Sequence, residues 1–246
     1  MITLSDLISQ TWTLYSRNFK TYLKLSFWIF LFTIPGAALG VLLDTLGQTR
    51  VINLIISVFL NLLVFILTIL VTIVLVRVAD RQITEEKPAV SLKKEFGVAL
   101  AFWFEVLAVA IVVGLIQVAG FLLLIIPGII FSVWFAFTLY LVILEKAGIK
   151  EALLKSKTLV RGRFWGVLVR FFVPTILWSL FGWAISVIFI NLVDVAVRFA
   201  ASSAAFATAD QIIKIIGSTY INALLIPLFV ISVVILFRNL QKQSNL

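Results

Sequence analysis

Glu105 stands in the stretch Ala101-Phe-Trp-Phe-Glu-Val-Leu, a lone carboxylate at the head of a long apolar run. An ionisable group at membrane depth is costly, and where one is kept it is commonly functional. Such a carboxylate could coordinate a cation, relay a proton or hold a basic group from a neighbouring helix. Shallow placement is the alternative, because Lys93, Lys94 and Glu95 lie only a few helical turns earlier. Glu105 would then be an interfacial or ion-paired residue. Gln117 lies further along the same run, near the expected middle of the bilayer. With Asn61, Thr68 and Thr72 of the preceding run it could line a polar seam. Hydrogen bonding between helices accounts for the same residues without transport.

Beyond these groups the chemistry is sparse. The chain contains no histidine and no cysteine. That removes the commonest general base, the thiolate nucleophile and the usual transition-metal ligands. Serines and threonines have no histidine to activate them. No glycine-rich phosphate loop and no pair of carboxylates within a span is present. Asp44, Asp194 and Asp210 could meet on one side as an all-carboxylate site, but their spacing does not demand it. The expectation is a protein that is not an enzyme, with no catalytic, cofactor-binding or metal residues.

The elements that would position Glu105 and Gln117 follow from composition. Of 246 residues, 63% are hydrophobic and 13% are charged. Soluble domains are about half apolar and about a quarter charged, so an integral membrane protein is expected. Charge-free runs extend over Leu25 to Leu43, Val51 to Val76, Val106 to Leu144, Phe171 to Val193 and Ile215 to Phe237. A hydrocarbon core of about 30 Å takes roughly 20 helical residues. The run from Val106 to Leu144 is far too long for one span and must fold back, with the break expected at Pro127-Gly128. Runs without polar alternation argue against a membrane barrel. The reading is an all-α polytopic membrane protein forming a single membrane domain. About six transmembrane helices are expected, near 21–43, 51–78, 99–126, 129–144, 166–191 and 214–237. The first is read as a retained span, too long for a signal-peptide core.

Basic residues set the orientation. All lysines and arginines except Arg50, Arg198 and Lys214 fall on one side of this threading. The positive-inside bias then places both termini in the cytoplasm of a multi-pass cell-membrane protein. Two cytoplasmic segments read as amphipathic and interfacial. Residues 3–19 carry Leu4, Ile8, Trp12, Tyr15 and Phe19 at helical spacing, with Thr3 or Ser5 as cap and Asp6 in the first turn. Residues 146–163 place Ile149, Ala152, Leu153, Ser156 and Val160 on one face, opposite Lys150, Lys157 and Arg161. Lys155, Lys157, Arg161 and Arg163 are the candidate lipid-headgroup contacts; a topology signal with an anchor is the simpler reading of the same residues. A short outer amphipathic stretch is also expected around residues 192–203, with Asp194 and Arg198 one turn apart. The net charge of +9 points to anionic lipid on the cytoplasmic face, and to membrane-protein partners, rather than to nucleic acid.

The two amphipathic segments align. Thr13 meets Thr158, Leu14 meets Leu159, Phe19 meets Phe164, Leu23 meets Leu168 and Phe27 meets Phe172. A parallel duplication and a membrane grammar written twice both account for this.

From Leu124 to Val167 the chain reads LIIPGIIFSVWFAFTLYLVILEKAGIKEALLKSKTLVRGRFWGV. This resembles the membrane domain associated with bacterial glycerophosphoryl diester phosphodiesterases and the related YciC-like inner-membrane proteins. The resemblance rests on Pro127, Gly128, Glu145, Ala152, Leu153, Ser156, Leu159, Gly162 and Trp165. It implies a polytopic membrane protein and carries no phosphodiesterase activity with it. In the fused enzymes a separate, histidine-using soluble domain performs that reaction.

Overall fold

A computed structural model describes residues 1–31, 50–85, 91–200 and 204–244, all the regular elements of which are helices. In chain order they are α1 (Leu4–Arg17), α2 (19–31 in its described part), α3 (Arg50–Thr84), α4 (Leu92–Leu123), α5 (Ile125–Trp134), α6 (Thr138–Glu145), α7 (Ile149–Val160), α8 (Phe164–Ala200) and α9 (Ala204–Ser244). Five stretches among the described residues are long and apolar enough to cross a bilayer: Leu54–Thr84, Leu92–Leu123, Ile125–Glu145, Phe164–Val197 and Ile213–Gln243. The expected first span begins in α2, and its remainder lies outside the described residues.

The chain forms two compact units. The first comprises Met1–Asn18, Ile69–Ile176 and Leu228–Leu246. Its core is made where α3 and α9 are apolar on every side, the pattern expected of a fully enclosed helix. Val71, Ile73, Val74, Leu75, Val78 and Ala79 are fully buried, as are Leu228, Ile231, Val234, Leu236, Phe237 and Leu240. Phe237 packs its ring 5.9 Å from Phe137 and 6.2 Å from Tyr140 of α6.

The α4–α5 hairpin corrects one expectation. The chain reverses at Leu124, which is extended at φ −172° and ψ 160°. Pro127 and Gly128 instead lie in the first turn of α5, where a missing N–H removes no intrahelical bond. The glycine has a different task. A Cβ on Gly128 would lie 2.4 Å from the Phe121 ring, and one on Gly120 would lie 3.1 Å from the Gly128 Cα. The hairpin is closed by the absence of side chains at these two positions. A second difference is the interruption between α5 and α6 at residues 135–137, where the sequence reads as one continuous apolar span.

Helix α1 begins as expected. Thr3 accepts from the Asp6 backbone N–H at 3.1 Å and its hydroxyl donates to the Asp6 carboxylate at 2.6 Å. Leu7, Thr11 and Tyr15 are buried, while Trp12 and Phe19 of the expected apolar face are exposed. Two stripes exist, and the one that docks is set by α9: the Thr11 and Ser232 hydroxyls meet at 3.1 Å. The Ile2 N–H donates to Asn239 at 3.0 Å, and the Ile2 carbonyl accepts from Arg170.

Two carboxylates are enclosed where α3, α4 and α9 meet the polar end of this unit. Glu95 is 1% exposed and accepts from Arg77 at 2.7 Å and Arg81 at 3.0 Å. Asp80 accepts two parallel bonds from Arg238, at 2.5 and 2.7 Å. An unpaired charge here would carry the desolvation cost alone.

The second unit comprises Phe19–Thr68 and Leu177–Pro227. Phe30 meets Tyr220 edge-on at 4.9 Å. Gly217 lies beneath the Phe189 ring, where an added Cβ would be 2.1 Å from Cε1. Lys214 bridges Asp194 and Asp210. The pairing of Asp194 is therefore with Lys214, while the Arg198 side chain lies outside the described residues.

Arg238→Ala removes both bonds to Asp80 and should lower stability in detergent by about 3 kcal/mol, as for breaking a buried pair. The double variant with Asp80→Ala should recover part of that loss in a thermal unfolding assay. Equal loss in both variants would contradict the pairing argument.

Candidate functional site

The site builds up from one stripe of α4. Lys94, Val98, Ala101, Glu105 and Ala108 recur at spacings of three and four, so they share a helix face. The face has small residues between its two charges. Opposite runs the end of α6 and its link to α7: Val142, Lys146, Ala147, Gly148 and Ile149. The small side chains leave a half-open groove of about 1120 Å³ between these segments. Phe102, at the kink in α4 (φ −136°, ψ 18°), and Phe104 add aromatic walls.

Three charged side chains reach this groove: Lys94, Glu105 and Lys146. All three are exposed. None forms an ion pair with another described residue, whereas Glu95, one position from Lys94, is doubly paired. Lys146 is held in the left-handed conformation (φ 54°) at the end of α6. The groove therefore offers two ammonium groups, one carboxylate and apolar walls.

Helix α7 contributes its first residue, Ile149, to the groove, and several of the residues singled out from the sequence fix the helix in place. The Ser156 hydroxyl donates to the Trp134 carbonyl at 2.7 Å and accepts from the Phe137 N–H at 3.2 Å. It thus satisfies the two backbone groups freed by the break between α5 and α6. Ala152 and Val160 are buried on the same face as Ser156, while Ile149 is exposed. Gly162 takes φ +77° and ends the segment. Glu145 accepts from Lys155 at 3.3 Å and from the Gln241 amide. Leu153 and Leu159 are half-buried, and Trp165 is 76% exposed.

The candidate headgroup residues divide. Lys155 bridges Glu145 and Glu151, with the latter at 2.7 Å. That hydrogen bond holds Glu151 below its usual value and raises Lys155, with Glu145 adding to the second effect. Lys157 lies over the Trp134 ring at 4.4 Å. Arg163 donates to the Gln243 side chain at 3.1 Å and to its carbonyl. Arg161 is exposed and has no ion pair among the described residues.

The polar intramembrane candidates also divide. Glu105 lines the groove. Gln117 is half-buried in the same unit but outside the groove lining. Asn61 belongs to the second unit and donates to the Ser57 carbonyl of its own helix at 2.7 Å. Thr68 likewise donates to Val64 at 2.7 Å. Among the described residues no three acidic groups gather as a metal site. Asp194 and Asp210 share Lys214, and Asp44 lies outside the described residues. Sequence reasoning missed Lys94 and Lys146 as site residues. The spacing of Lys94 and Glu105 on one helical face was a readable signal; Lys146 had none, because its position depends on where α6 ends.

Comparison with protein-family models, with curated proteins and with solved structures gave no match. The class defined by the fold is an α-helical protein with five helical stretches, among the described residues, long and apolar enough to cross a membrane, consistent with a multi-pass membrane protein.

Ser156→Ala leaves a part-buried carbonyl and a buried N–H without their partner and should cost roughly 1–3 kcal/mol. Hydrogen exchange would read this as faster exchange at Phe137. Unchanged protection there would show that the hydroxyl does not fasten α7.

Proposed function

We propose that this chain is a non-enzymatic membrane protein that binds and organises lipid, with the groove between α4 and the α6–α7 link as its contact site. The observation that carries the reading is the trio Lys94, Glu105 and Lys146 on apolar walls, unpaired among the described residues. An amphiphile supplies the matching parts: a phosphate for the lysines and an acyl chain for Phe102, Phe104 and Val109. The exposed Trp12, Phe19 and Trp165 support a bilayer setting, since aromatic side chains favour the interface.

The proposed topology has six spans and both termini in the cytoplasm of the cell, with the groove facing the cytoplasmic leaflet and its anionic lipids. It is supported by the distribution of basic residues. The chain has no native cysteine. A cysteine placed at Thr13 should therefore react with an impermeant maleimide only after the membrane is opened, and labelling of intact cells would contradict this topology. Membership of the YciC-like family is also proposed, on the joint role of Glu145, Ser156 and Gly162 in fastening α7.

A second reading, a small transporter or channel using Glu105 and Gln117, is favoured by the place of Glu105 in an open groove. It requires flux in proteoliposomes that is lost in Glu105→Ala.

The lipid reading is tested by phospholipid binding to the delipidated protein. Each lysine near an anionic surface contributes about 1 kcal/mol. Lys94→Gln with Lys146→Gln should therefore weaken binding of anionic phospholipid by roughly 30-fold. Lys155→Gln, whose ammonium is already engaged by Glu145 and Glu151, should change it little. Equal losses in the two variants would contradict the groove as the site.

A further inference from the structure

We infer that the groove selects phospholipids with one negative phosphate and a hydrogen-bond-donating headgroup end, ammonium or hydroxyl. The inference rests on the lipid-binding reading above and names the chemistry that Glu105 adds to it.

The groove carries two positive groups and one negative group. The lysines alone would favour any anion, and a dianion most of all. Glu105 changes this in two ways. Its carboxylate repels a second negative charge, so it removes part of the advantage that a phosphomonoester would draw from the two lysines. It is also an acceptor without a donor, because an ionised carboxylate can only accept. A headgroup ending in –NH₃⁺ or –OH satisfies it, whereas one ending in a quaternary ammonium offers no hydrogen bond.

The geometry suits a molecule that meets both signs of charge at once. Lys94 and Glu105 share one face of α4, about 16 Å apart along the axis. Cα–Cβ bonds on a helix tilt towards its N-terminus, so Glu105 leans into the interval that separates it from Lys94. Lys146 enters from the opposite wall, its backbone held in place at the end of α6. Ala101 and Gly97 keep the wall between the charges low, and a Cβ added at Gly97 would meet nothing within 4 Å.

The experiment compares four lipids of identical acyl chains on the delipidated protein: phosphatidylglycerol, phosphatidylethanolamine, phosphatidylcholine and phosphatidic acid. The first two carry the donor end, the third lacks it, and the fourth is a phosphomonoester. The wild type should bind the donor-ended lipids on the order of tenfold more tightly than phosphatidylcholine, the size of one charge-assisted hydrogen bond. Glu105→Gln, an exposed isosteric change that should leave thermal stability intact, should remove most of that preference and strengthen phosphatidic acid binding. If the wild type binds phospholipid without this preference, or Glu105→Gln retains it, the inference is overturned while the lipid-binding reading stands. If the wild type binds none of the four, both are overturned.

Discussion

A carboxylate enclosed at the end of an apolar helix bundle must have a cation beside it, and this requirement organises the first unit. Glu95 and Asp80 meet it with Arg77, Arg81 and Arg238. One set joins the consecutive helices α3 and α4, and the other joins α3 to the sequence-distant α9. The apolar packing of Ile73, Leu75, Ile231 and Leu236 is not directional, and helices can slide on such a surface. Bidentate bonding from Arg238 to Asp80 fixes the register at which α9 meets α3. The same helix end then presents Asn239 to Ile2 and Gln241 to Glu145. Lys94 and Lys146, which make no ion pair with another described residue, reach the groove.

Helices α1 and α7 show how an amphipathic segment can belong to both membrane and protein. Their buried residues fall in equivalent positions of the sequence alignment: Leu7 with Ala152, Thr11 with Ser156, Tyr15 with Val160. In each helix the central hydroxyl makes the docking contact, Thr11 to Ser232 and Ser156 to Trp134 and Phe137. The faint repeat thus has a structural counterpart in register as well as in residue type. The outward faces are not alike. Helix α1 exposes Trp12, whereas α7 exposes Lys150 and Lys155, with Arg161 exposed at its C-cap.

Much of the fold was legible because a hydrocarbon solvent leaves few solutions. Continuous apolar runs could only be helices, and the run from Val106 to Leu144 had to fold back. The Thr3 cap and the stop at Gly162 were local signals and were readable as such. What escaped was tertiary. Pro127-Gly128 looks like the reversal, yet proline fits the first turn of α5 and glycine is needed for contact with Phe121. The break at residues 135–137 is stabilised from outside by Ser156, so no local pattern announces it. Arg77, Arg81 and Arg238 read as topology signals, although their partners are Glu95 and Asp80. The headgroup strip was legible as charge but not as availability, since Lys155, Lys157 and Arg163 have partners within the chain. Glu105 stood out from sequence alone, whereas the lysine across the groove depended on where α6 ends.

The central claim is that lipid occupies the groove beside Glu105 rather than coating the apolar surface evenly. Irradiation of the protein in bilayers containing a phospholipid with a photoreactive headgroup, followed by mapping of the labelled peptides, tests it most directly. The account predicts label concentrated in residues 94–108 and 142–149. Label spread along all the exposed apolar helices, with no enrichment in these two segments, would contradict it.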